Sequence, residues 1–170
     1  MTQTPERMTV LTTPRTALTT WLHDDLDDLH QLHSDPETMR WIRPGRPETL
    51  EESRARLSSY LDPGGEPTKW RVVDAATGVL LGRAGFGGDA SHRELGYTLR
   101  PRSWGAGLGT ELATALVAWH RAHPLPEPPG DLTAYAALAN AASCRVLEKA
   151  GLGFVEEREH NRWPSGYYRL

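Results

Sequence analysis

The apolar residues of this chain switch between two periods, and the switches mark its elements. "TALTTWL" (Thr16–Leu22) is rich in β-branched residues and predicts a strand, with Thr9–Thr12 also extended. Leu22, Leu26, Leu29 and Leu32 then recur at helical spacing through "DDLDDLHQLHSD". Asp24 or Asp25 is placed to cap that helix, and the acids of its first turn suit the helix dipole. A second helix is predicted in "TLEESRARLSSYLDPGG", where Thr49 and Glu52 have capping-box spacing and Asp62–Gly65 ends the run. Between the two helices, "MRWIRPGRPE" (Met39–Glu48) mixes aromatic and basic residues with Gly and Pro. It reads as a loop with a short helical turn.

The pattern then turns to strands. "TKWRVVDAATGVLLGRAGFGG" reads as strand, turn, strand, with the turn near Asp74–Gly78. "HRELGYTLRP" is a third strand, ended by Pro101, which has no N–H for a ladder. Leu108, Leu112, Leu116 and Trp119 lie on one helical stripe after a glycine-rich stretch. "HPLPEPPGD" (His123–Asp131) is a surface loop, Leu132–Ala139 a strand, and "NAASCRVLEKAG" a short helix with Asn140 as N-cap and Gly151 at its end. "FVEEREHNRWPSGYYRL" closes the chain as a hairpin, its turn placed near Pro164–Gly166. The order implies an α+β fold: a mixed, mostly antiparallel sheet with one right-handed β-α-β crossover through the glycine stretch.

Bulk properties narrow the class. At 170 residues the chain fits a single domain, with hydrophobic residues at 38% and charged residues at 24%. No apolar run approaches the ~18 residues of a membrane span, and the N-terminus has no secretory h-region. A net charge of −3 argues against nucleic acid as partner. The lone Cys144 precludes an internal disulfide, which suits a cytoplasmic location. His30 and His33 share a helix face, but two histidines do not make a metal site, so none is expected. Oligomeric state is left open, a homodimer included.

The chemistry centres on "LRPRSWGAGLGTEL", where Gly105, Gly107 and Gly109 precede the helix. A helix start exposes about four unpaired N–H groups and partial positive charge, which attracts anions, and glycine lets a phosphate approach the backbone. Close packing with a turn is the competing reading. No lysine is present for a Walker loop, and Thr110 stands where a Rossmann fingerprint needs its third glycine.

The context of the glycines is more specific. "RSWGAG" (Arg102–Gly107) has the form Arg-x-x-Gly-x-Gly. It is preceded by "ELGYTLRP" and followed some 30 residues later by "NAASCRVLEKAGLGF". Together these resemble the GNAT superfamily of acetyl-CoA-dependent N-acetyltransferases, in particular the branch with RimJ/RimL-like ribosomal-protein N-terminal acetyltransferases. The resemblance runs from about Thr13 to Leu170. It departs from the family at "KAGLGF", whose extra Leu-Gly is expected to lengthen a turn without removing the cofactor site.

The resemblance implies a GNAT-like fold with helices on both sheet faces, and acetyl-CoA and an amine acceptor as partners. It implies that the Arg102–Thr110 backbone (Arg102, Trp104, Gly105, Ala106, Gly107, Leu108, Gly109, Thr110) holds the CoA pyrophosphate. Backbone groups of Thr98, Leu99 and Arg100 would pair with the pantetheine arm, and the Leu99 N–H would polarise the thioester carbonyl. Asn140 would meet the same arm, or only cap its helix. Ser143 would protonate the leaving thiolate, or simply open a helix. Glu94 would take the amine's proton, or lie exposed and paired with Arg93 or Arg83. Trp41, Arg43, Trp163 and Tyr167 would line the acceptor groove. Direct transfer in a ternary complex is the expected route. The alternative is a non-catalytic acyl-CoA-binding module used for sensing or assembly.

Overall fold

The computed structural model describes residues 6–62 and 68–170. Within them, the strands are β1 (Thr9–Thr12), β2 (Thr16–Thr19), β3 (Lys69–Asp74), β4 (Leu80–Gly88), β5 (His92–Leu99), β6 (Asp131–Ala137), β7 (Gly153–His160) and β8 (Trp163–Arg169). They form one sheet in the order β1-β2-β3-β4-β5-β6-β8-β7. Every neighbouring pair is antiparallel except β5 and β6. Helices α1 (Leu26–His33), α2 (Pro36–Met39) and α3 (Leu50–Leu61) precede β3, while α4 (Leu108–Ala122) and α5 (Ala141–Lys149) flank β6.

Two apolar clusters show why helices cover both faces. Leu108, Leu112 and Leu116 of α4 and Leu147 of α5 are buried with Trp70, Val72, Ala84, Phe86, Leu95, Leu99 and Leu132. On the opposite face Leu29 of α1 and Leu57 of α3 pack with Trp21, Val73 and Leu80. Alternation along each strand divides the residues between the two, as a sheet buried on both sides requires.

The local signals mostly hold, with three differences. Thr49 caps α3 reciprocally with Glu52, and the helix ends at Leu61 with Asp62 as its cap. The rest of the expected stop, residues 63–65, lies outside the described residues. Neither Asp24 nor Asp25 caps α1. Asp25 stands at the N-cap, but its carboxylate accepts the Leu22 N–H at 2.7 Å and pairs with Arg7 at 2.8 Å. The strand expected over Thr16–Leu22 ends at Thr19, and Trp21 turns into the α1/α3 cluster. The closing hairpin turns at Asn161 and Arg162, both at positive φ, rather than at Pro164–Gly166. Ser165 and Gly166 are instead central β8 residues, opposite Ala137 and Ala136 of β6. After α5 the extra residues of "KAGLGF" place Gly151 at φ +98 and bury Leu152 in the larger core cluster.

Candidate active site

The site begins where the one parallel pair comes apart. The β5–β6 ladder runs from His92/Asp131 to Leu95/Ala134 and stops, while β5 stays paired with β4 to Leu99 and β6 with β8 to Ala137. The Arg100 N–H bonds the Leu81 carbonyl at 2.8 Å, which sets the alternation. Thr98 turns its backbone toward β4, and Tyr97 and Leu99 turn theirs into the gap. The structure therefore commits the Thr98 and Arg100 N–H groups to the β4 ladder, away from the gap. The Leu99 carbonyl is occupied by the indole N–H of Trp104 at 2.9 Å. That leaves the Leu99 N–H as a donor facing the gap.

The glycine loop lies at the end of the same strand. A 3-10 turn over Pro101–Ser103 leads to Trp104, Gly105 at φ +75 and Gly107 at φ +78. Gly107 is the N-cap of α4 and supplies no side chain, and the first helical bond runs from the Glu111 N–H to the Gly107 carbonyl. The N–H groups of Leu108, Gly109 and Thr110 thus have no acceptor within the helix, the condition under which a helix start holds an anion. Arg15 reaches this loop from the β1–β2 turn, donating to the Ala106 carbonyl at 2.7 Å and pairing with Glu111 at 2.7 Å. Arg102 reaches instead toward β4, its guanidinium 3.4 Å from the Leu80 carbonyl. Gly109 plays a different part: a Cβ there would sit 3.4 Å from Val146 and 3.5 Å from the Tyr97 ring, so its role is close packing of α4.

Across the gap, the Asn140 side chain caps α5 by accepting the Ser143 N–H at 3.3 Å. The Ser143 hydroxyl is hydrogen-bonded to the Tyr97 hydroxyl at 2.8 Å. Burial pushes the Tyr97 phenol up, so it remains protonated at neutral pH. Cys144 is half-buried, its thiol 3.7 Å from the Ala137 carbonyl.

Glu94, Gly96 and Thr98 face the other side of the sheet, under α1 and α3. Glu94 is half-buried and has no ion pair with Arg83, while Arg93 lies on the other side of the sheet with His120 and Trp119 of α4. Lys69 lies beside it, its stem crossing Gly96, where a Cβ would sit 3.1 Å from the Lys69 Cε. Trp41 and Trp163 meet edge to face at 6.2 Å, and Arg162 donates to the Pro44 carbonyl at 2.6 Å. The loop after α2 and the closing hairpin therefore form one wall. Tyr167 lies in that wall beside Tyr135, with ring centroids 5.1 Å apart. Arg43 stands apart from them, exposed along a shallow groove with Glu48 and Arg56.

Sequence reasoning missed Arg15, Tyr97, Tyr135 and Lys69. Only Tyr97 left a signal, in the strand alternation that places it opposite Glu94 on the α5 side. His33, which shares a helix face with His30, is buried between Glu48 and Arg83. Among the described residues no group of three or more His, Cys, Asp or Glu is placed to hold a metal ion.

A parted parallel strand pair beside an uncapped, glycine-led helix start suits a transferase that holds an extended, phosphate-bearing acyl carrier. The acetyltransferase (GNAT) domain family matches residues 15–153. A GNAT-family acetyltransferase from Bacillus anthracis superposes with a TM-score of 0.79 at 21% identity, over 94% of this chain and 96% of its own. RimL, a ribosomal L7/L12 alpha-N-protein acetyltransferase in complex with coenzyme A, gives 0.78 at 16% identity over 96% and 97%. The aminoglycoside acetyltransferase AAC(6')-Ib in complex with coenzyme A gives 0.69 at 20% over 91% and 92%. No curated protein sequence matches. The superpositions show the fold, and the family match, which spans most of the chain, shows membership: this chain belongs to the GNAT acetyltransferase family. It is an acetyl-CoA-dependent N-acetyltransferase.

Proposed function

We propose that residues 1–170 act as one cytoplasmic acetyltransferase domain that acetylates a primary amine, on a protein N-terminus or a small molecule, by direct transfer in a ternary complex. The parting of β5 from β6 beside the Leu99 N–H carries this reading. Acetyl-CoA supplies an activated acetyl thioester. In this reading the free N–H groups at the start of α4, with Arg15, hold the pyrophosphate, and the gap takes the pantetheine arm. Asn140 borders that arm while it caps α5.

The Leu99 N–H then donates to the thioester oxygen as negative charge develops there, a contribution of about 3 kcal/mol for a preorganised donor. Glu94 accepts the proton released by the attacking amine, directly or through one water. The Ser143 hydroxyl, held by the protonated Tyr97, supplies a proton to the departing sulfur. A thiol has a reference pKa of about 8.5, so this last demand is small. Trp41, Trp163 and Tyr167 form the acceptor wall.

The test is thiol release from acetyl-CoA with a panel of amines. Turnover with at least one primary amine is expected. Glu94→Gln should lower kcat about 100-fold. An unchanged rate would show that Glu94 is not the base, and acetyl-CoA binding without turnover on any amine would leave a binding module.

A further inference from the structure

The sheet face under α1 and α3 holds more cation than its carboxylates neutralise. Arg71 is answered by Asp28 at 2.9 Å and by Asp25 at 3.5 Å. Arg83, on β4, is not answered in this way. It is 3% exposed, and its Nε donates to His33 Nε2 at 2.9 Å. His33 is buried and neutral at this position, and its other nitrogen bonds Glu48 Oε2 at 2.9 Å. The remaining Glu48 oxygen accepts from Arg56 Nε at 2.7 Å. Both oxygens of the nearest carboxylate are thus engaged elsewhere. The two terminal nitrogens of Arg83 have no hydrogen-bond partner among the described residues.

Other unanswered donors surround this guanidinium. Lys69 crosses the sheet next to it, and no partner meets its Nζ among the described residues. Thr98, directly across from Arg83 on β5, has a buried hydroxyl without a partner, and the Tyr60 ring lies 5.9 Å from the guanidinium. Burial, then repulsion from Arg83, lowers the Lys69 pKa to about 8 against the attraction of Glu94, and burial, with repulsion from Arg56, lowers that of Arg83. Two cations stand here with a single further carboxylate nearby, Glu94, and the Thr98 hydroxyl is buried without a partner, so an added anion would find donors waiting for it. A guanidinium fixed by its Nε, with both terminal nitrogens free, matches the two oxygens of a carboxylate. The cluster shares its face with Glu94 and lies one residue pair from Gly82/Leu99, so the anion it fits enters with the acceptor.

We infer that Arg83 and Lys69 recognise a carboxylate on the acceptor, which makes this enzyme selective for amines that carry one within a few bonds. The inference rests on the transfer reading above. Two sources share this chemistry: an acidic side chain at a peptide N-terminus, and the α-carboxylate of a free amino acid.

The experiment is calorimetry on the whole enzyme with CoA present, using two matched pairs, followed by turnover with acetyl-CoA. The pairs are an Asp-Ser-Ala peptide amide against Asn-Ser-Ala, and free alanine against alaninamide. In one pair the carboxylate member should bind at least about tenfold more tightly, as expected for a charge-assisted hydrogen bond. The pair that discriminates identifies the source. Arg83→Gln should erase the discrimination, Arg83→Lys should restore part of it, and Lys69→Met should weaken it. An acetyl-CoA-induced rise in Tm certifies that each variant is folded, and Lys69→Met carries the test if the Arg83 variants do not fold. Equal or undetectable binding within both pairs, or discrimination that survives in every folded variant, overturns the inference. Carboxylate preference in binding with no turnover would uphold it and overturn the transfer reading instead.

Discussion

At the scale of single residues, the three glycines ahead of α4 separate into two kinds. Gly109 has helical neighbours, and its missing Cβ makes room for Val146 and the Tyr97 ring. Gly105 and Gly107 hold left-handed backbone, which an L side chain occupies at a cost of about 1–2 kcal/mol. The space around Gly107 is open, with Arg15 Nη2 at 3.7 Å from a built Cβ. Gly107→Ala is therefore expected to lower stability by about 1 kcal/mol and keep most of the acetyl-CoA response. Gly107→Glu adds a carboxylate beside the free N–H groups of Leu108–Thr110, the place proposed for the pyrophosphate. It should fold and lose the acetyl-CoA-induced rise in Tm. A full rise in that variant would move the phosphate site elsewhere.

At the scale of elements, α1, α3 and β4 are joined through buried Arg83, His33 and Glu48 and half-buried Arg56, and this junction responds to acid. Burial pushes the His33 imidazole down from 6.5 to about 4, against the hydrogen bond to Glu48. Between those values the unfolded chain binds a proton that the folded chain refuses, so stability falls as pH is lowered through that window. Burial alone would raise Glu48, but the hydrogen bonds from His33 and Arg56 outweigh it and hold it at about 2. Its contribution is present above pH 4.5 and is lost as pH falls toward 2, the same direction in an adjoining window. Melting curves from pH 7 to pH 3 should show the first decline, of a few kcal/mol, starting near pH 6.5. His33→Gln keeps a donor for Glu48 and an acceptor for Arg83, so it should flatten the upper window and spare the lower. An unchanged slope in that variant would place the titration elsewhere. This junction was not legible in the sequence, because its members come from elements far apart along the chain, as do Arg15 and Glu111. What was legible was contiguous: the helical stripe of α4, the capping box of α3, and the glycine-led start of α4. The hairpin turn misled because Pro-Ser-Gly is a stronger local turn signal than Asn161–Arg162, and pairing of β8 with β6 on one side and β7 on the other overrode it.

At the scale of the molecule, the sheet separates two approaches to one point. The helix start of α4, Arg15, Ser143 and Tyr97 lie on the α4/α5 side, while Glu94, Lys69 and the Trp41–Trp163 wall lie on the α1/α3 side. They meet at the gap between β5 and β6, which the Leu99 N–H faces. If the two substrates enter from opposite faces, neither has to leave before the other binds. Initial rates at varied acetyl-CoA and amine should then give intersecting lines, and acetyl-CoA alone should stabilise the protein. At a hundredfold excess over Kd, linkage contributes about 2.7 kcal/mol, a rise in Tm of roughly 5–10 °C for a chain of this size. A covalent route, with the acetyl group first carried on a thiol, would have to pass through Cys144, the one cysteine of the chain. It would give parallel lines and a burst of free CoA before amine is added. Cys144→Ala separates the two routes: turnover should persist within about twofold, since a half-buried side chain of this size contributes packing and no step of the direct transfer. Loss of all turnover in a Cys144→Ala protein that still gains stability from acetyl-CoA would show that the acetyl group passes through the thiol, and would remove the reason for two open faces.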